Sequence, residues 1–179
     1  MSAKKLLIIG LVWPEPTSSA AGTRILQLVN FFLAKNHDVT FACAASKTEF
    51  SCSLGDIGVT ENVIKLNCES FNYYIKECPE AMTILDTEDL HFLRQARLQS
   101  TKKAQNLDLF NDTAKREIAS ILRCDLSLII SEEEMKVLQN QFKIDPSILY
   151  YLPFLEEEII TTGNWLNFEE RVDFIFIGN

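Results

Sequence analysis

The stretch that most constrains this chain is Lys5-Leu6-Leu7-Ile8-Ile9-Gly10, together with the loop and helix immediately after it. Four consecutive apolar residues run into a glycine. The run is too short for a buried helix and does not alternate, so it predicts a central parallel strand covered on both faces. A loop rich in Pro, Ser and Ala occupies Leu11 to Ala21. Gly22 and Thr23 then open a helix whose apolar stripe is Ile25, Leu28, Val29 and Phe32, at i, i+3, i+4 and i+7. Asn36 suits a left-handed helix end. Asp38-Val39-Thr40-Phe41-Ala42-Cys43-Ala44 is a second strand. Strand, helix and strand in this order form a βαβ unit, which commits the chain to the α/β class.

The remainder continues the alternation. Val63-Ile64-Lys65-Leu66 predicts a third strand, Ser70 to Glu77 a short helix ended by Pro79, and Ala81 to Leu85 a fourth strand. A helix to about Lys103 buries Leu90, Leu93 and Ala96. Asn111 or Asp112 caps the next helix, which turns Ala114, Ile118, Ile121 and Leu122 inward. Leu126 to Ile130 is a strand. Ser131-Glu132-Glu133-Glu134 reads as a capping box, opening a helix that buries Met135, Leu138 and Phe142. Asp145-Pro146 breaks that helix, and Ile148 to Leu152 is a strand closed by Pro153. The expected fold is α/β, an open, mainly parallel Rossmann-like sheet with helices on both faces, spanning residues 1–155. Residues 156–170 form an acidic linker. Residues 171–179 repeat the pattern of the opening strand, an apolar run into glycine. This orphan C-terminal strand needs a sheet edge, and without one it becomes a route to self-association.

A hydrophobic fraction of 47% supplies a core for one domain. The net charge is −8 and no block of Lys or Arg occurs, which argues against a nucleic-acid partner or an anionic membrane surface. No apolar run is long enough for a membrane span. The five cysteines include no C-x-x-C pair, so reduced thiols in the cytoplasm fit better than a disulfide framework or a zinc site. Lys4-Lys5 and the apolar residues after them resemble a leader only faintly, because Pro14-Glu15-Pro16 closes the run early.

Chemistry concentrates in Asp86-Thr87-Glu88-Asp89, followed by His91, Arg94 and Arg97. The cluster falls where a strand ends and a helix begins, the place where open α/β sheets bind ligands. His91 is the candidate catalytic residue, with Asp86 and Asp89 near enough to fix its tautomer. Its bland alternative is a solvated histidine on a helix face. Arg94 and Arg97 could hold an anion, or form surface ion pairs worth little. The acidic spacing offers no two- or three-ligand face, so no metal is expected. The Glu132 and Glu156 runs read as a helix cap and a solvated face.

Several segments taken together resemble a family. Ala34-Lys35-Asn36-His37-Asp38-Val39-Thr40 is similar to the helix-to-strand junction of GT-B glycosyltransferases, where a Gly-His-Glu-Val type of sequence is common. Ile84 to Arg94, Arg116-Glu117-Ile118-Ala119-Ser120 and Cys124 to Ser131 look like the corresponding blocks of family-four-like bacterial members. The resemblance covers nearly the whole chain and is to the N-terminal, acceptor-side domain and its linker. It implies a nucleotide-sugar donor and a small-molecule glycosyl acceptor, with no other cofactor. It gives His91 contact with the sugar or acceptor, makes Asp86 and Arg94 ligand contacts, and lets Gly22 and Thr23 admit the donor phosphates to the backbone at a helix N-terminus. Two family features have no counterpart here. One is the strand and helix expected near Lys76 to Pro79, and the other is the acidic motif of the donor-binding domain. The expectation is therefore an acceptor-side half, truncated before the donor domain and inactive as an isolated chain. The alternative is a non-catalytic, truncated binding module.

Overall fold

In the computed structural model the described residues are 2–65, 76–103, 107–155 and 167–172. They form an α/β, Rossmann-like architecture whose strands are all parallel and fall into two three-stranded sheets. The first sheet comprises β1 (Lys5–Gly10), β2 (Asp38–Cys43) and β3 (Thr60–Val63), in that order. The second comprises β4 (Ile84–Asp86), β5 (Leu126–Ile129) and β6 (Leu149–Tyr151).

Helix α1 (Ala20–Ala34) links β1 to β2. It begins two residues before Gly22, because Ser19 caps it: the Ser19 side chain accepts the Gly22 N–H at 3.0 Å. It ends as the sequence predicts. Asn36 is left-handed at φ 59°, with Asn36 N–H donating to Leu33 O and His37 N–H to Phe32 O, the paired bonds of a Schellman close. The apolar stripe of α1 meets β2 in one cluster containing Val29, Val39, Phe41, Cys43, Leu54, Val59 and Trp13. Phe41 is fully buried, a burial worth roughly 2–3 kcal/mol.

Strand β1 departs from expectation. Among the described residues it pairs only with β2. Its burial alternates, leaving Leu7 44% and Ile9 40% exposed. A continuous apolar run does predict cover on both faces, but α1 supplies cover on one. β3 also starts earlier than its apolar residues suggest. Gly58 turns left-handed after a short 3₁₀ turn, and Thr60 to Val63 then fall into register with Thr40 to Cys43. β4 likewise shifts to Ile84–Asp86, because Thr83 is taken by Asp125: both the Thr83 N–H and hydroxyl donate to that carboxylate at 2.7 Å.

Three helices, α2 (His91–Lys103), α3 (Asp112–Ile121) and α4 (Glu132–Gln141), serve the second sheet. Leu90, Phe92, Leu93, Ala114, Ile121 and Leu138 close over Ile129 and Leu149. Asn111, not Asp112, is the cap of α3, accepting the Ala114 N–H at 3.0 Å. The capping box at Ser131 does not form. Ser131 has the extended backbone of a cap but makes no cap bond, and Glu134 is drawn away to α2. The terminal strand at 173–179 and the linker at 156–166 lie outside the described residues, as do Leu66 and most of the short helix expected at Ser70 to Glu77.

Candidate functional site

The junction between β4 and α2 carries the polar cluster, as the pattern predicts. Thr87 seals the end of β4, its N–H and hydroxyl both donating to Leu128 O. The chain then reverses about Glu88. Asp89 N–H donates back to Thr87 O at 2.6 Å, and Glu88 sits at φ 56°. Such a three-residue turn is strained for a residue with a side chain. Glu88 is half-buried, and burial, then the neighbouring Asp86 charge, push its carboxyl above the usual range, with Arg24 pulling the other way.

The first turn of α2 has no cap of its own. Carboxylates from two other helices reach across to it. Glu117 of α3 accepts the His91 N–H at 3.1 Å and the Phe92 N–H at 2.9 Å, and Glu134 of α4 accepts the Leu90 N–H at 3.1 Å. Three orphan amides of a helix start are thereby satisfied, with negative charge at the positive end of the dipole. The second oxygen of Glu134 is buried without a partner. Burial raises this carboxyl, and the Leu90 N–H opposes that rise.

Beside this turn lies a pocket of about 250 Å³. One wall is Asp86, Thr87, Asp89 and His91, and the other is Arg116, Glu117 and Ser120 of α3. His91 is held at both ring nitrogens. Nε2 lies 2.9 Å from Asp89 Oδ1, and Nδ1 lies 3.3 Å from Arg94 Nη2. Arginine can only donate, so the Arg94 contact is a hydrogen bond in the tautomer whose proton sits on Nε2, the nitrogen facing Asp89. Arg94 closes the triangle with Nη1 2.9 Å from Asp89 Oδ2. His91 and Arg94 are 52% and 65% exposed at their side chains, so this triangle is worth little to stability.

The structure distributes the expected site residues over two places. His91 and Asp86 line the pocket, and Arg94, which does not line it, contacts His91 and Asp89. Gly22 and Thr23 sit apart, in the first turns of α1. A Cβ at Gly22 would lie 2.5 Å from Glu15 N and 2.6 Å from Glu15 C and O. The bare glycine therefore admits the chain's own loop. The Gly22 N–H is bonded to Ser19, and the Thr23 hydroxyl donates to Pro16 O at 3.0 Å. The free amides that the sequence offered to a phosphate are already in use. Arg24 carries no signal in the sequence; Glu88 stands there only as a member of the acidic run, and Arg116 and Glu117 only as part of the block that resembles glycosyltransferases.

Among the described residues, no group of three or more His, Cys, Asp or Glu side chains converges as metal ligands. Among them no helix is long and apolar enough to cross a membrane. Fold and site together define a Rossmann-like α/β protein with a pocket at the carboxyl end of a strand, lined by both charged and apolar side chains. Comparison with protein-family models finds no match, and comparison with curated proteins finds none either.

Proposed function

We propose that the chain is the acceptor-side domain of a GT-B type glycosyltransferase. The observation that carries this is the pocket at the end of β4, where His91, oriented by Asp89 and Arg94, faces Arg116 and Ser120 of α3. Open α/β sheets bind ligands at such strand ends. The similarity of Ile84 to Arg94 and Arg116 to Ser120 to glycosyltransferase blocks supports the same reading, since both segments line the one pocket. In the reaction, an acceptor hydroxyl oxygen forms the new glycosidic C–O bond, the anomeric C–O bond to the donor phosphate breaks, the nucleoside diphosphate leaves, and the hydroxyl proton passes to solvent. His91 would meet sugar or acceptor hydroxyls through its ring, and positioning would be the pocket's main contribution.

A second reading, a non-catalytic binding module, draws on a specific observation. Both nitrogens of His91 are engaged, and the α2 and Gly22 amides are bonded within the chain. NMR titration of the protein with UDP-glucose, GDP-mannose and methyl glycosides at millimolar concentration separates the two. The glycosyltransferase reading expects shifts at His91, Arg116 and Ser120 that His91→Ala abolishes. No shift at these residues with any of these ligands sinks it.

A further inference from the structure

Arg24 is the most deeply buried charge described, with a side chain 0% exposed. Buried guanidinium is costly unless its donors are matched and its charge is balanced. Here Nε donates to Asp86 Oδ2 at 2.8 Å and Nη2 to Asp86 Oδ1 at 3.1 Å, a two-pronged pair. Nη1 donates to Pro153 O at 2.8 Å and Nη2 to Leu152 O at 3.0 Å. The Phe154 ring lies 5.6 Å from the guanidinium carbon. One turn further along α1, Gln27 Nε2 donates to Leu155 O at 2.8 Å. Two side chains of one helix thus gather three carbonyls of the segment that leaves β6. The same Asp86 lines the pocket and keeps 16% of its side chain exposed.

We propose that Arg24 couples the pocket to segment 152–155, which is strapped to α1 only while the Asp86 carboxylate balances the guanidinium. Carbonyl dipoles alone do not neutralise a buried unit charge. With the Asp86 charge withdrawn, Arg24 must admit water or swing out, and either motion gives up Leu152 O and Pro153 O. A pocket ligand that turns the Asp86 carboxylate out of its two-pronged pairing competes with Arg24. Linkage then makes the effect mutual: what loosens the strap also frees Asp86. This coupling does not depend on glycosyl transfer, because every group in it belongs to the chain.

The test is Asp86→Asn, with Arg24→Lys beside it, examined by backbone NMR. In both variants the order parameters of Phe154 and Leu155 are expected to fall from about 0.85 to below about 0.6. The Leu152 amide, bonded to Ile129 O, should exchange about tenfold faster while the β1 and β2 amides keep their wild-type rates. Lysine belongs in the test because a point charge cannot replace the fork. A strap that stays rigid in Asp86→Asn overturns the proposal. So does exchange at Leu152 that rises only in step with β1 and β2, since that is global loosening. If Asp86→Asn does not fold, Arg24→Lys decides by the same readings.

Discussion

Replacing Arg24 by methionine is the most informative perturbation of stability. The change keeps an apolar stem of similar reach and removes the guanidinium. Asp86 then loses both of its bonds to Arg24, and Leu152 O and Pro153 O lose one each. Breaking a buried pair from one side costs about 3–5 kcal/mol. Asp86 retains some contact with water and Pro153 is exposed, so solvent recovers part of the loss. The lower end, about 3 kcal/mol, is expected. At roughly 2–4 °C per kcal/mol for a chain of this size, Tm should fall by about 6–12 °C. Arg24→Met combined with Asp86→Leu removes both charges, and the double variant should recover about 1–3 kcal/mol over the single one. Calorimetry with urea unfolding at neutral pH measures the cycle. A single-variant Tm shift under about 2 °C, or a double variant no more stable than the single, would refute the argument.

Three further outcomes rest on the same geometry. Gly22→Ala gains helix propensity of about 1 kcal/mol but drives a methyl into the Glu15 backbone. Backbone cannot yield as a side-chain tip can, so a net loss of about 1–3 kcal/mol should appear in thermal melts, and a stabilised variant would contradict the packing. Ser127→Ala removes a hydroxyl that is fully buried and unpartnered, and should leave the protein unchanged or more stable by about 1 kcal/mol in urea. Glu134→Gln keeps an acceptor for the Leu90 N–H and removes a half-buried charge. Because burial raises this carboxyl in the folded state, the fold holds that proton more tightly than the unfolded chain does. Its contribution is present at low pH and lost as pH rises through the raised value. The variant's advantage should therefore be largest at neutral pH and shrink on acidification, and an advantage that grows on acidification would contradict the assignment.

Much of the fold is legible in the sequence where its causes are local. The α1 stripe, the left-handed turn at Asn36, the cap at Asn111 and the apolar cores of β2 and β5 each depend on residues a few positions apart. Local pattern also places the cluster from Asp86 to Arg94 at a strand end, because a change of period from strand to helix is visible in any short window. What failed depended on distant partners. Ser131-Glu132-Glu133-Glu134 has the form of a capping box, yet Glu134 is spent on Leu90, 44 positions away.

The sequence by itself therefore determined the class of this protein, the run of its elements and the residues of one pocket wall. Tertiary structure alone decided the rest. Among the described residues it left β1 paired on one side only, with Leu7 and Ile9 partly exposed, and it brought α3 up to form the second wall with Arg116 and Ser120. It also chose Arg24, one arginine on an apolar helix, to bind groups 62, 128 and 129 positions away. The physical reason is that burial and charge balance belong to the space between segments, and periodicity along a segment carries no record of what will face it.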